Sequence, residues 1–369
     1  MEELKKWRRD LHQIPEIGLK EKKTAKYIRQ VLEDLGYQWK SIIETGTLVY
    51  IDNHQKDTIA FRSDIDALEM NEKNDIDYIS KHPGMMHACG HDGHISALLG
   101  LAKKLKESKE IFPHNILLIF QPAEEFPGAA KYIVETGILD KYHVKAIFGM
   151  HLMPLIDEGK IACKAGAFMA MCGELDVKIV GQPSHAGLPQ KGIDSIVIAS
   201  EAIQRYQSLV ARQITPFEPV VINIGKINGG TARNSIASSV ELHGTIRCYS
   251  EEIFKILNNA IEHIHKGLEV SYGCHIEWSC PPLYPPVFNH RELYQKFKTC
   301  VKDDYIELSE PLMLAEDFSY YQKAIPGIFF FLGTKSEKYN SGLHTETFNF
   351  NEDILNKAVH LYLELALHI

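Results

Sequence analysis

The stretch His87–His94 holds the densest set of metal-binding side chains in the sequence. It reads His-Ala-Cys-Gly-His-Asp-Gly-His, and imidazole and thiolate groups are the usual ligands of zinc-like ions. Cys89 and His91 stand two positions apart, so in an extended loop they can point at one site. The alternative is a solvated loop with an incidental buried cysteine, but packing gives little reason for such a dense cluster. The pattern therefore favours a metal site, with glycines as turn positions that let the backbone approach the ion.

Two adjacent carboxylates, Glu124 and Glu125, follow directly after the apolar run Asn115–Phe120. Sheets of α/β proteins place ligands and catalysis at the carboxyl ends of their strands. One carboxylate of such a pair can bind a metal while its neighbour takes a proton. The alternative is structural, because an isolated pair of Glu residues can also start a helix and interact with its dipole.

Four more candidates stand at comparable places. His151 ends another apolar strand, Asp64 and Asp66 follow the run Thr58–Phe61, and His344 lies near the other end of the chain. Each histidine taken alone is more typical of a satisfied core residue than of a ligand. Because several of these groups end buried strands of one predicted sheet, their side chains could converge. The two aspartates could bind the metal or hold its ligands in place.

Short apolar runs alternate with helical patterns along the first part of the chain and again at its end. The predicted strands are Thr58–Phe61, Ile116–Phe120, Ala146–Met150 and Ile328–Leu332, and the predicted helices are Glu21–Leu35, His94–Leu105 and Glu352 to the end. This rhythm predicts an α/β domain with a central mixed sheet flanked by helices, formed by residues 1–171 and 284–369.

A different rhythm begins near Cys172. The predicted elements are strand Glu174–Val180, helix Asp194–Val210, strands Val220–Ile227 and Glu241–Arg247, helix Glu251–Leu268 and strand His275–Trp278. Their order predicts an inserted ferredoxin-like α+β domain over residues 172–283. The second of these helices shows an apolar stripe of Ile253, Ile256, Leu257, Ala260, Ile261 and Ile264. The segment Pro281–Pro286 cannot continue a central strand, so we expect it to form a stiff exit from the domain.

Composition limits the function classes. The 369 residues are 45% apolar, which allows a large core, and the net charge of -8 comes without long runs of one sign. This argues against a nucleic-acid partner or a basic membrane-binding face and favours a small-molecule substrate. The start of the chain lacks an apolar signal, and the seven cysteines are widely spaced. We therefore expect a cytoplasmic protein without a disulfide framework.

Sequence motifs extend this picture over nearly the whole chain. They are RRDLHQIPE, SDIDALEM, MHACGHDGH, FQPAEE, GMH, GQPSHAGLPQKGIDSI, GGTARNSIA, GTIRC, LAEDFSYY and GLHTETF. In type and order they resemble the aminoacylase and carboxypeptidase superfamily of co-catalytic metallohydrolases. The resemblance is to its amidohydrolase branch, which includes hippurate hydrolases, plant auxin-conjugate hydrolases and bacterial N-acetyldiaminopimelate deacetylases.

The resemblance implies roles for individual residues. The ligands of two divalent metal ions would be Cys89, His91, Glu125, His151 and His344, with Glu124 as the general base. The donor types suggest manganese or zinc, and cobalt or nickel could substitute in vitro.

The resemblance also assigns residues around the metals. His185, which its spacing alone would make a turn histidine, would hydrogen-bond the developing oxyanion, while Asn234 and Arg247 would hold the substrate. Supporting positions would be Asp64, Asp66, Asp92, Glu316 and Asp317. The inserted domain would also mediate formation of a homodimer.

We therefore expect a metal-dependent amidohydrolase of N-acyl-L-amino acids, of the N-acetyldiaminopimelate deacetylase, aminoacylase or hippurate hydrolase type. N-acetyldiaminopimelate would place it in the synthesis of lysine and cell-wall precursors. One alternative is a dipeptidase or carboxypeptidase of the same superfamily. Another is a metal-binding or interaction protein without catalysis, but Glu124 and all five presumed ligands are present.

Overall fold

The structure is a computed structural model that describes residues 2–301 and 304–369. Its strands are β1 (Lys40–Ile42), β2 (Gly46–Ile51), β3 (Thr58–Asp64), β4 (Leu68–Glu69), β5 (Met85–Met86), β6 (Asn115–Gln121), β7 (Val144–Asp157), β8 (Ile161–Cys163), β9 (Gly166–Met169), β10 (Met171–Val180), β11 (Val221–Gly229), β12 (Ser239–Cys248), β13 (His275–Ser279), β14 (Pro282–Tyr284), β15 (Val287–Asn289), β16 (Tyr305–Glu307) and β17 (Gly327–Lys335). Its α-helices are α1 (Glu2–His12), α2 (Lys22–Asp34), α3 (His91–Glu107), α4 (Ala130–Glu135), α5 (Ile138–Lys141), α6 (Ser195–Gln213), α7 (Glu251–Tyr272), α8 (Arg291–Cys300), α9 (Ser319–Ala324) and α10 (Leu355–His368). Short 3-10 turns cover Pro189–Lys191 and Glu352–Ile354.

The chain divides into two compact units. Unit 1 comprises Met1–Phe168, Val287–Pro311 and Glu316–Ile369, and unit 2 comprises Met169–Pro286 with Leu312–Ala315. The domains predicted from the sequence were 1–171 with 284–369, and 172–283. Among the described residues, no helix is both long and apolar enough to span a bilayer.

The main sheet of unit 1 is mixed. Its eight described strands follow the order β1-β2-β6-β3-β7-β17-β8-β16. The central pairs β6–β3, β3–β7 and β7–β17 are parallel, so their carboxyl ends meet at one edge. Strands β3 and β6 are buried along their whole length, as parallel strands covered on both faces should be. The predicted α/β class with a mixed sheet is confirmed.

Helix α3 lies at the centre of the helical packing in unit 1. It is buried continuously from His91 to Ala102. At Gly100 an added Cβ would lie 2.5 Å from Val359 Cγ2 and 2.6 Å from Leu4 Cδ2, so a glycine is needed where α1 and α10 approach. The helix begins three residues before its predicted start at His94. The candidate ligand His91 therefore belongs to its first turn.

Unit 2 contains an antiparallel sheet in the order β11-β12-β10-β13, with helices α6 and α7 in the β-α-β-β-α-β sequence. This is the ferredoxin-like arrangement that the order of elements predicted. The predicted apolar stripe of α7 is wrong in part, because Ile256 is 42% exposed. The buried residues are Phe254, Leu257, Ile261, His265 and Leu268, whose spacing of three and four positions keeps to one helix face.

The proline-rich exit from unit 2 is more regular than expected. Pro282–Tyr284 forms the short strand β14, which pairs with β10 across a register shift at Cys172 and Gly173. Proline lacks an N–H, and edge strands tolerate that loss because one side needs no partner.

Candidate metal centre

The carboxyl ends of the parallel strands bring the polar candidates of unit 1 together. Strand β3 ends at Asp64, β6 ends at Gln121 just before Glu124 and Glu125, and His151 lies in β7. Because these strands are neighbours in the sheet, residues that are far apart in sequence meet at one edge.

Cys89 is at the centre of the cluster. Its Sγ lies 3.2 Å from His151 Nε2 and 3.3 Å from His344 Nε2. His344 Nε2 is also 3.0 Å from Glu125 Oε1. The His344 loop is anchored by its backbone N–H, which donates to the Ala88 carbonyl at 3.0 Å. These four side chains therefore present sulfur, nitrogen and oxygen atoms to one small volume.

Two histidines are oriented by backbone carbonyls. The Nδ1–H of His151 donates to Leu152 O at 2.6 Å, and that of His91 donates to Asp66 O at 2.9 Å. With Nδ1 as the donor, the neutral form of each ring carries its lone pair on Nε2. Metal-binding histidines are usually held in this way.

The surroundings of the His91 Nε2 atom show that the cluster fits a metal ion. This atom is buried and has no hydrogen-bond partner among the described residues. The nearest carboxylate oxygens are those of Asp64 at 3.8 Å and Glu124 at 4.0 Å. Buried polar atoms normally have a partner, and a cation would satisfy this lone pair.

The ligand atoms fall into overlapping sets. Among the described residues, five sets of three have their donor atoms within 4.8 Å of one another, and three of these contain the nominated ligands: Cys89, His91 and His151; Cys89, Glu125 and His344; and His91, Glu124 and Glu125. Any two of these three sets share one residue, which suits two adjacent ions. The structure thus brings together all five residues that the sequence nominated as ligands, with Glu124 beside them.

Cys89 needs a nearby cation in order to exist as a negatively charged thiolate. Burial and the nearby carboxylates of Glu125 and Glu124 raise the pKa of its thiol well above the usual range. A bound metal reverses this preference, because it stabilises the thiolate.

Asp64 and His94 are occupied with each other. His94 Nδ1–H donates to Asp64 Oδ1 at 2.7 Å, and His94 Nε2 accepts the Leu152 N–H at 2.9 Å. Burial raises the pKa of Asp64, but His91, His94 and Arg62 outweigh it and hold that pKa well below the usual range. Because both nitrogens of His94 are bonded, these two residues suit positioning better than metal binding.

Asp66 connects two candidate ligands. Its Oδ2 accepts the Glu125 N–H at 3.0 Å, while its backbone carbonyl accepts from His91. It therefore holds both residues in place through hydrogen bonds.

Glu124 lies in a buried carboxylate group. Burial, followed by the charges of Glu316 and Glu125, raises the pKa of Glu124 well above its usual range. Burial also raises the pKa of Glu316 to about 8 and that of Asp317 to about 6. A carboxylate with a raised pKa accepts a proton readily near neutral pH, which is the property that a general base requires.

Arg62 holds this carboxylate group together, and it was not among the predicted site residues. Its Nη2 lies 3.0 Å from Glu316 Oε1 and 2.8 Å from Asp317 Oδ1, and its Nη1 donates to Asp64 at 2.8 Å. The available signal was an arginine directly after the apolar run Thr58–Phe61 and two positions before Asp64.

Asp92 is held by a second buried cation. Arg8 Nε donates to Asp92 Oδ2 at 2.9 Å, and His12 Nδ1 lies 2.7 Å from the same oxygen. Arg8 and His12 were visible only as part of the RRDLHQIPE motif.

Unit 2 brings two of its three nominated residues together. A β-bridge joins His185 to Ser235, and the Ala186 N–H donates to Asn234 O at 3.0 Å. The His185 side chain is exposed, and its Nδ1 accepts the Gly187 N–H at 3.0 Å, so the ring proton is on Nε2.

Arg247 does not join this pair. It lies near the end of β12, whose other end, Ser239, is next to the His185 and Asn234 segments. Eight residues of strand separate the two ends, which is about 26 Å. Within unit 2, Arg247 is therefore remote from His185.

The architecture and the buried ligand cluster define the class of metal-dependent hydrolases. Residues 60–368 match Peptidase family M20/M25/M40, and the chain belongs to this family. It is a hydrolase of the kind that acts on amide bonds.

Named relatives cover almost the whole chain. IAA-amino acid hydrolase ILR1-like 4 of Arabidopsis thaliana is 39% identical over 97% of this chain and 84% of its own length. N-acetyldiaminopimelate deacetylase of Bacillus subtilis (strain 168) is 36% identical over 98% and 97%. The crystal structure of the Bacillus subtilis YXEP protein, a dinuclear metal binding peptidase of family M20, matches with a TM-score of 0.86 and 30% identity over 99% of this chain and 97% of that one.

Proposed function

We propose that the protein hydrolyses the amide bond of N-acyl-L-amino acids with two divalent metal ions. The observation that carries the proposal is the overlap of the ligand sets of Cys89, His91, Glu125, His151 and His344 beside the buried Glu124. Relatives named IAA-amino acid hydrolase and N-acetyldiaminopimelate deacetylase support a conjugated amino acid as the substrate.

Glu124 moves the proton in this proposal. When bound, divalent ions act as Lewis acids toward the acyl carbonyl and lower the pKa of water. Glu124 takes a proton from the attacking water and delivers it to the leaving amine. Its raised pKa, which burial and Glu316 cause, supports both steps because the proton is held between them.

His185 is the proposed hydrogen-bond donor to the developing oxyanion. Its neutral ring carries the proton on Nε2, and the side chain is exposed, so the donor group is available. Such a donor contributes roughly 3 kcal/mol to transition-state stabilisation. Asn234, which lies beside it in unit 2, would contact the substrate. Arg247 is the proposed carboxylate-binding residue, and within unit 2 it lies at the end of β12 opposite Ser239.

The metal is proposed to be manganese or zinc, since a thiolate and three imidazoles join one carboxylate in the ligand set.

A homodimer through unit 2 is also proposed. Its edge strand β11 is exposed along most of its length, with Ile227 56% exposed, and Ile196 and Val197 on α6 are 48% and 50% exposed. An exposed edge strand with nearby apolar side chains pairs readily with a second copy. A cytoplasmic location and a place in lysine synthesis stay predictions.

The test is hydrolysis of N-acetyl, N-benzoyl and dipeptide substrates by metal-stripped protein, before and after addition of manganese or zinc. Metal-dependent release of an amino acid from an N-acyl compound is expected. Cleavage of dipeptides alone would select the dipeptidase alternative, and no turnover with any metal would select the binding-protein alternative.

A further inference from the structure

A cleft of about 720 Å³ opens in unit 1 outside the ligand cluster. Its polar lining includes Lys20, Lys23, Glu69 and His82, and Ile17 is among its apolar residues. The predicted roles of the metal centre use none of these side chains. The metal centre therefore does not account for the cleft.

Lys23 keeps its positive charge available in this cleft. Its Nζ lies 2.7 Å from His82 Nε2. His82 Nδ1–H donates to Pro15 O at 2.7 Å, which leaves Nε2 to accept from the Lys23 ammonium group without bringing a negative charge to it. Lys20 lines the same cleft, and neither lysine forms a salt bridge with a described residue.

The two acidic residues of the cleft differ. Glu16 Oε2 accepts the backbone N–H groups of Lys23 at 2.7 Å and Thr24 at 3.0 Å, so its charge is used at the start of α2. Glu69 is exposed and forms no salt bridge within the described ranges. The cleft thus offers two ammonium groups and one carboxylate to a ligand.

This charge pattern suits the head group of a free α-amino acid. A carboxylate can bind between Lys20 and Lys23, while an ammonium group can pair with Glu69. Met70 and Met85 also line the cleft and can contact the methylene chain that carries such a head group.

Two backbone contacts and one short chain segment connect the lining of the cleft to the segments that carry the metal centre. A Cβ on Gly18 would lie 2.3 Å from Phe126 O, so the Ile17–Lys20 segment packs on the chain directly after Glu125. The Ala67 N–H donates to Glu16 O at 2.8 Å, directly after Asp66. Met85 precedes Cys89 by four positions.

We propose that this cleft binds the free amino-acid end of a substrate whose other end carries the scissile amide, that is, an N-acyl diamino dicarboxylic acid. The inference rests on the proposed function for the amide-cleaving step. Lys20 and Lys23 bind the distal carboxylate, and Glu69 binds the distal ammonium group.

Three N-acetyl substrates test the proposal: those of diaminopimelate, of 2-aminopimelate, which lacks the distal ammonium, and of norleucine, which lacks both groups. The readout is the ratio of kcat/KM for each charged substrate to that for the norleucine compound. We expect K20A/K23A to lower this ratio at least tenfold for both charged substrates, and E69Q to lower it only for diaminopimelate. Lys22→Ala is the matched control, because Lys22 is exposed on the same helix but does not line the cleft.

If the kcat/KM ratios of K20A/K23A equal those of the Lys22→Ala control, the proposal is overturned. A second measurement does not depend on turnover: calorimetric titration of free diaminopimelate into the wild-type and K20A/K23A proteins. At least tenfold weaker binding by K20A/K23A is expected even if no amide is cleaved. Unchanged binding would reject the cleft, whereas absent hydrolysis by the wild type with metal would reject only the proposed function.

Discussion

Arg8 and Asp92 form an ion pair of 2.9 Å between Nε and Oδ2, and both side chains are almost completely buried. Arg8 also donates to Asn349 Oδ1 at 2.9 Å, and its guanidinium lies 4.5 Å from the ring centroid of Phe350. Asp92 follows the candidate ligand His91, and Asn349 follows His344 by five positions. One arginine therefore connects the chain segments that carry both histidines.

Replacement of Arg8 by Met should destabilise the protein by about 3–5 kcal/mol, since it leaves the buried Asp92 without its arginine. It should also weaken metal binding, because the first turn of α3 loses a support. Urea unfolding and a metal titration measure the two effects.

Arg9→Met is the control for this change. Arg9 pairs with Glu352 but is 48% exposed, so its loss should cost less than about 1 kcal/mol. Equal destabilisation by the two substitutions would contradict the role given to Arg8.

Glu124→Gln should lower kcat by about 10²–10⁴-fold and leave metal content unchanged, because the amide cannot carry the transferred proton. Steady-state kinetics and metal analysis of the same preparation measure this. Glu135→Gln, an exposed position on α4, serves as the control. Near wild-type turnover by the metal-loaded Glu124→Gln protein would refute the assignment of the base.

Addition of manganese or zinc to stripped protein should raise its Tm, since a ligand that binds only the folded state stabilises it. Cys89→Ala should remove most of this rise, because the thiol takes part in two of the ligand sets. Thermal unfolding with and without metal is the measurement. Cys274→Ala provides the comparison, because Cys274 lies in unit 2 and in none of the ligand sets. The same rise in Tm for both variants would show that the metal binds elsewhere.

His265 should make unit 2 sensitive to acid. Burial lowers its pKa to about 4, and its Nε2 lies 2.5 Å from the Tyr206 hydroxyl oxygen. The unfolded chain has a His pKa near 6.5, so between these values the unfolded state binds more protons. The stability contribution of neutral His265 is complete above about pH 6.5 and is lost as the pH falls toward 4, by up to about 3 kcal/mol.

His265→Gln should remove this part of the pH dependence. The test compares the free energy of unfolding of the wild type and the variant in urea at pH 7.5 and pH 5. The exposed His263→Gln on the same helix should keep the wild-type dependence. Identical pH dependence in all three proteins would show that His265 does not titrate in this way.

The sequence predicted those features that depend on local pattern. Strand ends, the order of elements in unit 2 and the dense ligand-type cluster around Cys89 and His91 could be inferred because each is encoded in a local stretch of sequence. Arg62 was missed because its partner Asp317 is 255 positions away, and Arg8 because Glu352 is 344 positions away. The exposure of Ile256 could not be predicted either. Apolar residues stand on two neighbouring faces of α7, and the sequence alone does not show which face packs on the sheet.

The candidate ligands span the chain from Cys89 to His344, and the whole of the ferredoxin-like unit is encoded between His151 and His344. During synthesis on the ribosome, four of the five ligands emerge before that unit, and the fifth emerges after it. The α10 residue Val359, against which Gly100 of α3 packs, emerges later still. The set of five ligands can therefore be completed only after unit 2 has left the ribosome. Until His344 emerges, the Cys89 thiol lacks one of its neighbours.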